Sequence, residues 1–145
     1  MNNDLMFSSN KDDWETPQSF FDEINKEFHF SFDSACSEEN TKCEGYDTDS
    51  LEHEWYGVTF CNPPYSQSKL FIKKAWEEYK LEHCHVVLLL PARTDTIAFH
   101  EYIYGKAELR FIKGRLKFEI NGEPLLDKKG RPSPAPFPSM LAIYR

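Results

Sequence analysis

The sequence predicts an α/β domain with a parallel central sheet and an antiparallel C-terminal end. A β-rich stretch (57–61), an amphipathic helix (66–83) and an apolar strand (85–91) follow one another, which is the order of a βαβ unit. The run at 85–91 is continuously apolar, as is typical of a central parallel strand covered on both faces. Further on, 107–120 predicts a hairpin and 139–144 a last strand, so antiparallel pairing is expected there.

Length and composition indicate one domain. The chain has 145 residues, of which 40% are hydrophobic and 15% aromatic, which suits a packed core and not a disordered chain. We expect a flexible leader over 1–11 and a single domain over 12–145. No run approaches the roughly 18 apolar residues that a membrane span needs. The polar N-terminus resembles neither a signal nor a transit peptide, so a soluble cytoplasmic protein without membrane contact is expected.

The N-terminal part predicts a helix followed by a strand. Thr16 suits the N-cap, and Pro17 suits the first helical position, where its missing N–H costs nothing. Apolar residues then recur at every fourth position over 20–28, which indicates a helix. Alternating aromatic and polar residues predict a strand over 28–33. Residues 34–56 show no strong period and stay unassigned.

The middle of the chain carries two consecutive prolines directly after a predicted strand. Pro63 and Pro64 lack an N–H, so they must end the strand at 57–61. The helix that follows has Ser66 or Ser68 as its cap. After the central strand, a short helix is predicted over 95–103, and the hairpin at 107–120 turns at Lys113-Gly114.

Polar residues come directly after three predicted parallel strands. These are Asp33, the N-P-P-Y run at 62–65, and the A-R-T-D-T run at 92–96. In open α/β sheets, ligands bind in the crevice beyond the carboxyl ends of the strands. We therefore expect the three segments to converge on one ligand-binding edge.

N-P-P-Y has the chemistry to bind a planar amine. Asn62 offers a side-chain carbonyl and Pro63 a backbone carbonyl, both held by the rigid prolines. Tyr65 offers a flat ring on which a heterocycle could stack. Accepting both amine hydrogens makes the amine nitrogen nucleophilic, and this requires neither a covalent intermediate nor a metal.

The chain resembles the phage-type DNA N6-adenine methyltransferase (Dam) family over residues 12–144. N-P-P-Y after a strand is similar to the catalytic motif of S-adenosylmethionine-dependent amino-methyltransferases. The other matching stretches are D-x-W-x-T-P (12–17), F-F-D (20–22), N-x-K-C (40–43), P-A-R-T-D-T (91–96), R-F-I-K-G-R-L-K-F (110–118) and A-P-F-P-S-M-L (135–141).

This resemblance implies a Rossmann-like methyltransferase fold, S-adenosylmethionine as methyl donor and adenine in double-stranded DNA as acceptor. Its catalytic residues are carried over to Asn62, Pro63, Pro64 and Tyr65. Those that bind the cofactor are carried over to Trp14, Thr16, Pro17, Asp33, Asp49 and Asn62. Asp47 and Glu52 are as eligible as Asp49. No G-x-G follows Asp33, and fewer than 30 residues separate it from Asn62, so the cofactor half of the fold is expected to be abbreviated.

Charge is unevenly spread along the chain, whose net charge is −7. Residues 1–84 hold 7 basic and 18 acidic residues, whereas 85–145 hold 10 basic and 6 acidic ones. This is compatible with a basic face on an acidic body, and equally with an ordinary solvated surface. The candidates for DNA contact are Arg93, Thr94, Asp95, Arg110, Lys113, Arg115 and Lys117.

The cysteines and histidines do not suggest a metal site. Four cysteines are present, none in a C-x-x-C pair, and the five histidines show no ligand spacing. We expect free thiols without a chemical role and no metal.

Two alternatives remain open. One is a protein glutamine-N5 methyltransferase, because its glutamine substrate also offers a planar –NH2 group to an N-P-P-Y site. The other is a catalytically silent DNA-binding relative, with which the shortened cofactor region is compatible. Neither the recognition sequence nor the oligomeric state follows from the residues.

Overall fold

A computed structural model describes residues 11–145 of the chain. Apart from Lys11, the leader expected over 1–11 lies outside the described residues. The helices are α1 (Gln18–Phe28) and α2 (Ser68–Lys80). The strands are β1 (Phe32–Asp33), β2 (Gly45–Tyr46), β3 (Gly57–Cys61), β4 (Cys84–Pro91), β5 (Glu108–Phe111), β6 (Glu119–Ile120), β7 (Glu123–Pro124) and β8 (Ser139–Tyr144).

Six strands form one mixed sheet in the order β2-β1-β3-β4-β8-β5. The pairs β2-β1, β1-β3 and β3-β4 are parallel, whereas β8 is antiparallel to both β4 and β5. The strands β6 and β7 form a separate antiparallel ribbon. The predicted α/β class, with a parallel centre and an antiparallel C-terminal side, is therefore confirmed. Within residues 11–145, no helix is both long and apolar enough to cross a membrane.

The sheet is covered on both faces, and β4 contributes to each. Val86, Leu88 and Leu90 belong to a buried cluster with α2 and with the π-helical turn Phe99–Ile103. Val87 and Leu89 belong to a second cluster with α1 and with side chains of the segment 112–138. This arrangement explains why the β4 sequence is apolar at successive positions.

The predicted N-terminal helix is present, but its boundaries differ from the prediction. Thr16 does not cap it, because Pro17 occupies the N-cap and no side chain caps the helix. At the other end, α1 continues through Phe28 and stops at His29, whose φ is 52°. The side-chain oxygen of Asn25 accepts the N–H of Phe30 at 2.7 Å, so the chain turns there. The strand expected over 28–33 is thus reduced to its last two residues.

The hairpin predicted over 107–120 is wrong. Its first half is β5, which pairs with β8 at the edge of the sheet. Its second half includes β6, which pairs with β7 across a turn at Asn121-Gly122. Both turn residues have positive φ (56° and 79°), the conformation that Asn and Gly favour in tight hairpins. The local sequence is compatible with a turn at Gly114, but β5 pairs with β8 and β6 pairs with β7.

The helix α2 has the predicted apolar face and an unpredicted start. Ile72 and Ala75 are buried, and Trp76 and Tyr79 pack beside them. A 3₁₀ turn (Tyr65–Gln67) precedes it, and Gln67 at the N-cap makes no capping bond, so neither Ser66 nor Ser68 caps it. The short helix expected over 95–103 is found as helical and π-helical turns over 97–103.

One buried carboxylate joins α2 to the loop before β3. Glu78 is 3% exposed, and its Oε1 accepts the backbone N–H of Trp55 at 2.5 Å. It also contacts His83 Nδ1 at 3.1 Å and Lys74 Nζ at 3.4 Å. These contacts hold Trp55, the largest fully buried side chain of the described residues.

We expect Glu78→Ala to lower the free energy of unfolding by about 2–3 kcal/mol, since it leaves the buried N–H of Trp55 unpaired. Urea denaturation measures this. The exposed neighbour Glu77 supplies the control, because Glu77→Ala should stay within about 0.5 kcal/mol of wild type. Equal losses for the two variants would show that the Glu78 contacts do not stabilise the fold.

Candidate active site

Two cavities flank the N-P-P-Y run at the carboxyl ends of β1, β3 and β4. The first, about 260 Å³, has Asn62 and Pro64 in its wall, and we call it the acidic cavity because five carboxylates line it. The five are Asp12, Asp13, Glu15, Asp33 and Asp47. The second, about 590 Å³, has Pro63 and Tyr65 in its wall, and we call it the apolar cavity. Its walls include Ile72, Leu90, Phe99, Ile103 and Met140.

Asn62 is oriented by two hydrogen bonds from its amide nitrogen. Nδ2 donates to Thr16 Oγ1 at 3.1 Å and to the carbonyl of Trp14 at 3.4 Å. Because Nδ2 is engaged, Oδ1 is left as an acceptor, and nothing in the described chain donates to it. Thr16, which local sequence suggested as a helix cap, instead positions the amide.

The two prolines differ in the use of their carbonyls. The Pro64 carbonyl accepts the N–H of Gln67 at 3.0 Å and so closes the 3₁₀ turn. The Pro63 carbonyl accepts no hydrogen bond from residues 11–145. Two acceptors, Asn62 Oδ1 and the Pro63 carbonyl, are thus available on consecutive residues.

Tyr65 is held in an aromatic cluster. Its ring centroid lies 5.5 Å from that of Phe137 and 6.2 Å from that of Trp14, and Trp14 stacks on Phe118 at 5.7 Å. The hydroxyl is buried and has no partner among the described residues. Burial raises the pKa of Tyr65, so the phenol is neutral at physiological pH. The side chain therefore contributes a ring of fixed position.

Residues 11–17, which we call the N-terminal strap, contribute residues 12–16 to the wall of the acidic cavity. Asp12 accepts the N–H of Ser66 at 2.8 Å and its hydroxyl at 2.5 Å, and these bonds lower the pKa of Asp12. Glu15 accepts the N–H groups of Asn121 and Gly122 at 3.1 and 3.0 Å. The strap thereby ties the N-P-P-Y turn to the β6-β7 ribbon.

Asp33 is the most buried carboxylate of the acidic cavity, at 2% exposure. It stands at the end of β1, where Oδ2 accepts the N–H of Lys42 at 2.9 Å and Oδ1 accepts that of Ala35 at 3.2 Å. Burial outweighs these bonds and raises the pKa of Asp33 to about 6. Its charge therefore titrates close to neutrality.

Asp47 also lies in the wall of the acidic cavity, directly after β2. Its Oδ1 accepts the N–H of Asp49 at 2.8 Å, and its Oδ2 contacts His53 Nδ1 at 2.6 Å. Asp49, the residue favoured from sequence, is exposed and stands outside the wall. The only sequence signal that could have favoured Asp47 is the strand before it, β2. That strand has two residues and is too short to identify from periodicity.

The remaining predicted site residues are divided among several places. Trp14 and Thr16 line the acidic cavity, whereas Pro17 is buried outside its wall. Arg93 and Asp95 line the apolar cavity, and Thr94 is exposed beside it, its carbonyl 2.8 Å from His100 Nε2.

The basic residues predicted near 110–117 do not form one face. Arg110 binds both oxygens of Glu27, at 2.6 and 2.7 Å, and also contacts Glu108, so carboxylates at the sheet edge neutralise its charge. Lys113, Arg115 and Lys117 are exposed, and Arg115 donates to the carbonyl of Ala135 at 3.2 Å. The structure brings none of these residues to the wall of either cavity.

The cysteines are free thiols, two buried and two half-buried. Burial raises the pKa of Cys36 and Cys43 to about 12, so both are protonated. In the part of the chain that is described, no group of three or more His, Cys, Asp or Glu side chains could hold a metal ion.

Comparison with known proteins identifies a family over nearly the whole chain and individual relatives over more than three quarters of it. The family model "DNA N-6-adenine-methyltransferase (Dam)" matches residues 5–145. A protein of Escherichia phage T1 named DNA N-6-adenine-methyltransferase is 34% identical over 120 residues, covering 77% of this chain and 49% of its own. A protein of the same name from Haemophilus phage HP1 is 32% identical over 122 residues, covering 79% of this chain and 70% of its own. The chain thus spans about half the length of the phage T1 relative.

Proposed function

Because the chain belongs to the DNA N-6-adenine-methyltransferase (Dam) family, we propose that it transfers a methyl group from S-adenosylmethionine to N6 of adenine in double-stranded DNA. The observation that carries the proposal is the pair of unbonded acceptors, Asn62 Oδ1 and the Pro63 carbonyl, beside the Tyr65 ring. This pair is suited to a planar –NH2 group.

We propose further that the fold is an abbreviated Rossmann-like methyltransferase fold. Its support is the parallel order β2-β1-β3-β4, with helices on the two faces and both cavities at the carboxyl ends of the strands. The abbreviation lies between β1 and β3, where two-residue β2 and a 3₁₀ turn (Ser50–Glu52) replace longer elements.

The acidic cavity fits S-adenosylmethionine by its charge. The cofactor carries a sulfonium, an ammonium and a carboxylate group and is cationic on balance, and the cavity wall holds five carboxylates against one cation, Lys42. The Lys42 ammonium is turned to Gln18 Oε1 at 2.8 Å. When bound, S-adenosylmethionine supplies an electrophilic methyl group. Thr16, Asp33 and Asp47 are the residues we assign to holding it, and Asn62, in the same wall, is assigned to the amine.

The N-P-P-Y residues prepare the amine. A base inside a duplex is out of reach, so the target adenine must leave the stack and pack against the Tyr65 ring. Asn62 Oδ1 and the Pro63 carbonyl then accept the two N6 hydrogens and draw the nitrogen lone pair out of conjugation with the ring. Since Thr16 and Trp14 hold the Asn62 amide, the acceptor needs no reorganisation.

A methyl-transfer assay tests the proposal. Protein and radiolabelled S-adenosylmethionine are incubated with unmethylated duplex DNA, with the same DNA premethylated at N6, and with glutamine-containing peptides. We expect label in unmethylated DNA alone, recovered as N6-methyladenine. Label in peptide alone would favour glutamine methylation, and S-adenosylmethionine binding without transfer to any substrate would contradict the proposed activity.

We expect the affinity for S-adenosylmethionine to fall as pH drops below about 6, the raised pKa of Asp33. Below that pH the carboxyl becomes neutral and no longer attracts the cationic cofactor, so affinity should fall by up to about tenfold for each pH unit. Calorimetric titration across this interval measures the effect. The Asp33→Asn variant should bind S-adenosylmethionine more weakly at neutral pH and lose this pH dependence. If its affinity varies with pH as that of wild type does, Asp33 does not bind the cofactor.

A further inference from the structure

We propose that Lys69 and Arg93 bind the DNA phosphates that flank the adenine taken up by the apolar cavity. This inference rests on the proposed function and assigns Lys69 a role that its sequence context does not indicate. It starts from the wall of the apolar cavity, where Lys69 enters from the first turn of α2 and Arg93 from the loop after β4.

Both cations are exposed and unpaired with any carboxylate of the described residues. Neither Lys69 nor Arg93 forms an ion pair with any residue in 11–145, although acidic residues outnumber basic ones in the chain. Arg110 and Arg145 form the contrast, because both are held by Glu27 and Glu108 at the sheet edge. Of the described cations, Lys69 and Arg93 are those that combine free charge with a place in the wall of this cavity.

The apolar cavity and the acidic cavity carry opposite charge. Lys69 and Arg93 face a single carboxylate, Asp95, in the apolar cavity, whereas five carboxylates line the acidic cavity. The protein as a whole carries −7, so a polyanion approaches favourably only where cations are concentrated. The two cavities therefore select their ligands by charge: the cationic cofactor on one side of N-P-P-Y and the nucleic acid on the other.

Arg93 is placed close to the stacking ring. Its guanidinium carbon lies 6.0 Å from the ring centroid of Phe137, which in turn packs against Tyr65. The Arg93 charge also opposes the rise in the pKa of Tyr65, as expected for a nearby cation. A phosphate held by Arg93 is thus held beside the ring on which the adenine stacks.

Helix stability does not account for Lys69. The first turn of a helix favours acidic residues, because its free N–H groups carry partial positive charge. The first turn of α2 contains no acidic residue and contains Lys69 instead, and its N-cap makes no capping bond. A cation in this position suits an anion that comes from outside the chain.

The inference is tested by the salt dependence of DNA binding. We compare wild type, Lys69→Gln, Arg93→Gln and Lys73→Gln, using one unmethylated duplex that wild type methylates and measuring affinity at several salt concentrations. Lys73 is the matched control, since it is exposed on the same helix and lies outside both cavities. Each lost phosphate contact should weaken binding by about five- to tenfold near physiological salt and reduce the log–log salt slope by about 0.9.

We expect both changes in Lys69→Gln and in Arg93→Gln, neither in Lys73→Gln, and an unchanged affinity for S-adenosylmethionine in all three. If wild type methylates DNA but the salt slope of Lys69→Gln equals that of Lys73→Gln, the inference is wrong and the proposed function is unaffected. If wild type neither binds nor methylates DNA, the proposed function fails as well, and the two failures are thereby distinguished.

Discussion

Asn62→Ala is expected to reduce the turnover of DNA methylation by about 100- to 1,000-fold, with little change in the affinity for S-adenosylmethionine. The substitution removes Oδ1, one of the two acceptors proposed for the amine hydrogens, and leaves Asp33 and Asp47 in the acidic cavity. The loss should appear mainly in kcat, because activation of the amine matters most in the transition state.

Single-turnover kinetics and calorimetric titration of the cofactor separate these effects. Thr16→Val serves as the comparison, since it removes the hydroxyl that accepts from Asn62 Nδ2 but keeps Oδ1. Its loss of turnover should be smaller than that of Asn62→Ala, because the Trp14 carbonyl still holds the amide. Near-normal turnover in Asn62→Ala would exclude the assigned role of Asn62.

Tyr65→Ala is expected to lower kcat/KM by about 5- to 150-fold, the equivalent of losing about 1–3 kcal/mol of base stacking. The ring is held between Phe137 and Trp14, whereas the hydroxyl is buried without a partner in the described chain. The contribution of Tyr65 should therefore come from the ring.

Tyr65→Phe separates the ring from the hydroxyl. It should keep most of the activity that Tyr65→Ala loses and raise the free energy of unfolding by up to about 1 kcal/mol, since an unsatisfied buried hydroxyl is removed. Steady-state kinetics and urea denaturation provide the two measurements. If Phe impairs activity as much as Ala does, the hydroxyl takes part in the reaction.

The parts of the fold that sequence predicted are those determined by local pattern. β4 and β8 follow from apolar runs, and β3 follows from a β-rich stretch that ends at Pro63 and Pro64, which have no N–H to donate. The parts that failed depend on distant partners. β5 pairs with β8, although β6 and β7 lie between them in the sequence. No local signal distinguishes this pairing from a hairpin of β5 with β6.

The same division applies to the candidate site. A four-residue motif is enough to propose Asn62 and Tyr65 as site residues, but the bond from Asn62 to Thr16 joins residues 46 positions apart. The sequence leaves Asp47 and Asp49 equally eligible, and the position of β2 is what places Asp47 in the wall of the acidic cavity. The sequence does not distinguish Lys69 from other helix lysines, whereas the structure places it in the wall of the same cavity as Arg93.

The alternation of β4 between the two buried clusters has a consequence for how the protein unfolds. Successive side chains of this strand belong to opposite clusters, and β8 on one side alternates in the same way. When β4 detaches from the sheet, both clusters lose its side chains at the same time. The two sides of the sheet should therefore melt in one cooperative transition, with the slowest amide exchange in β4 and β8.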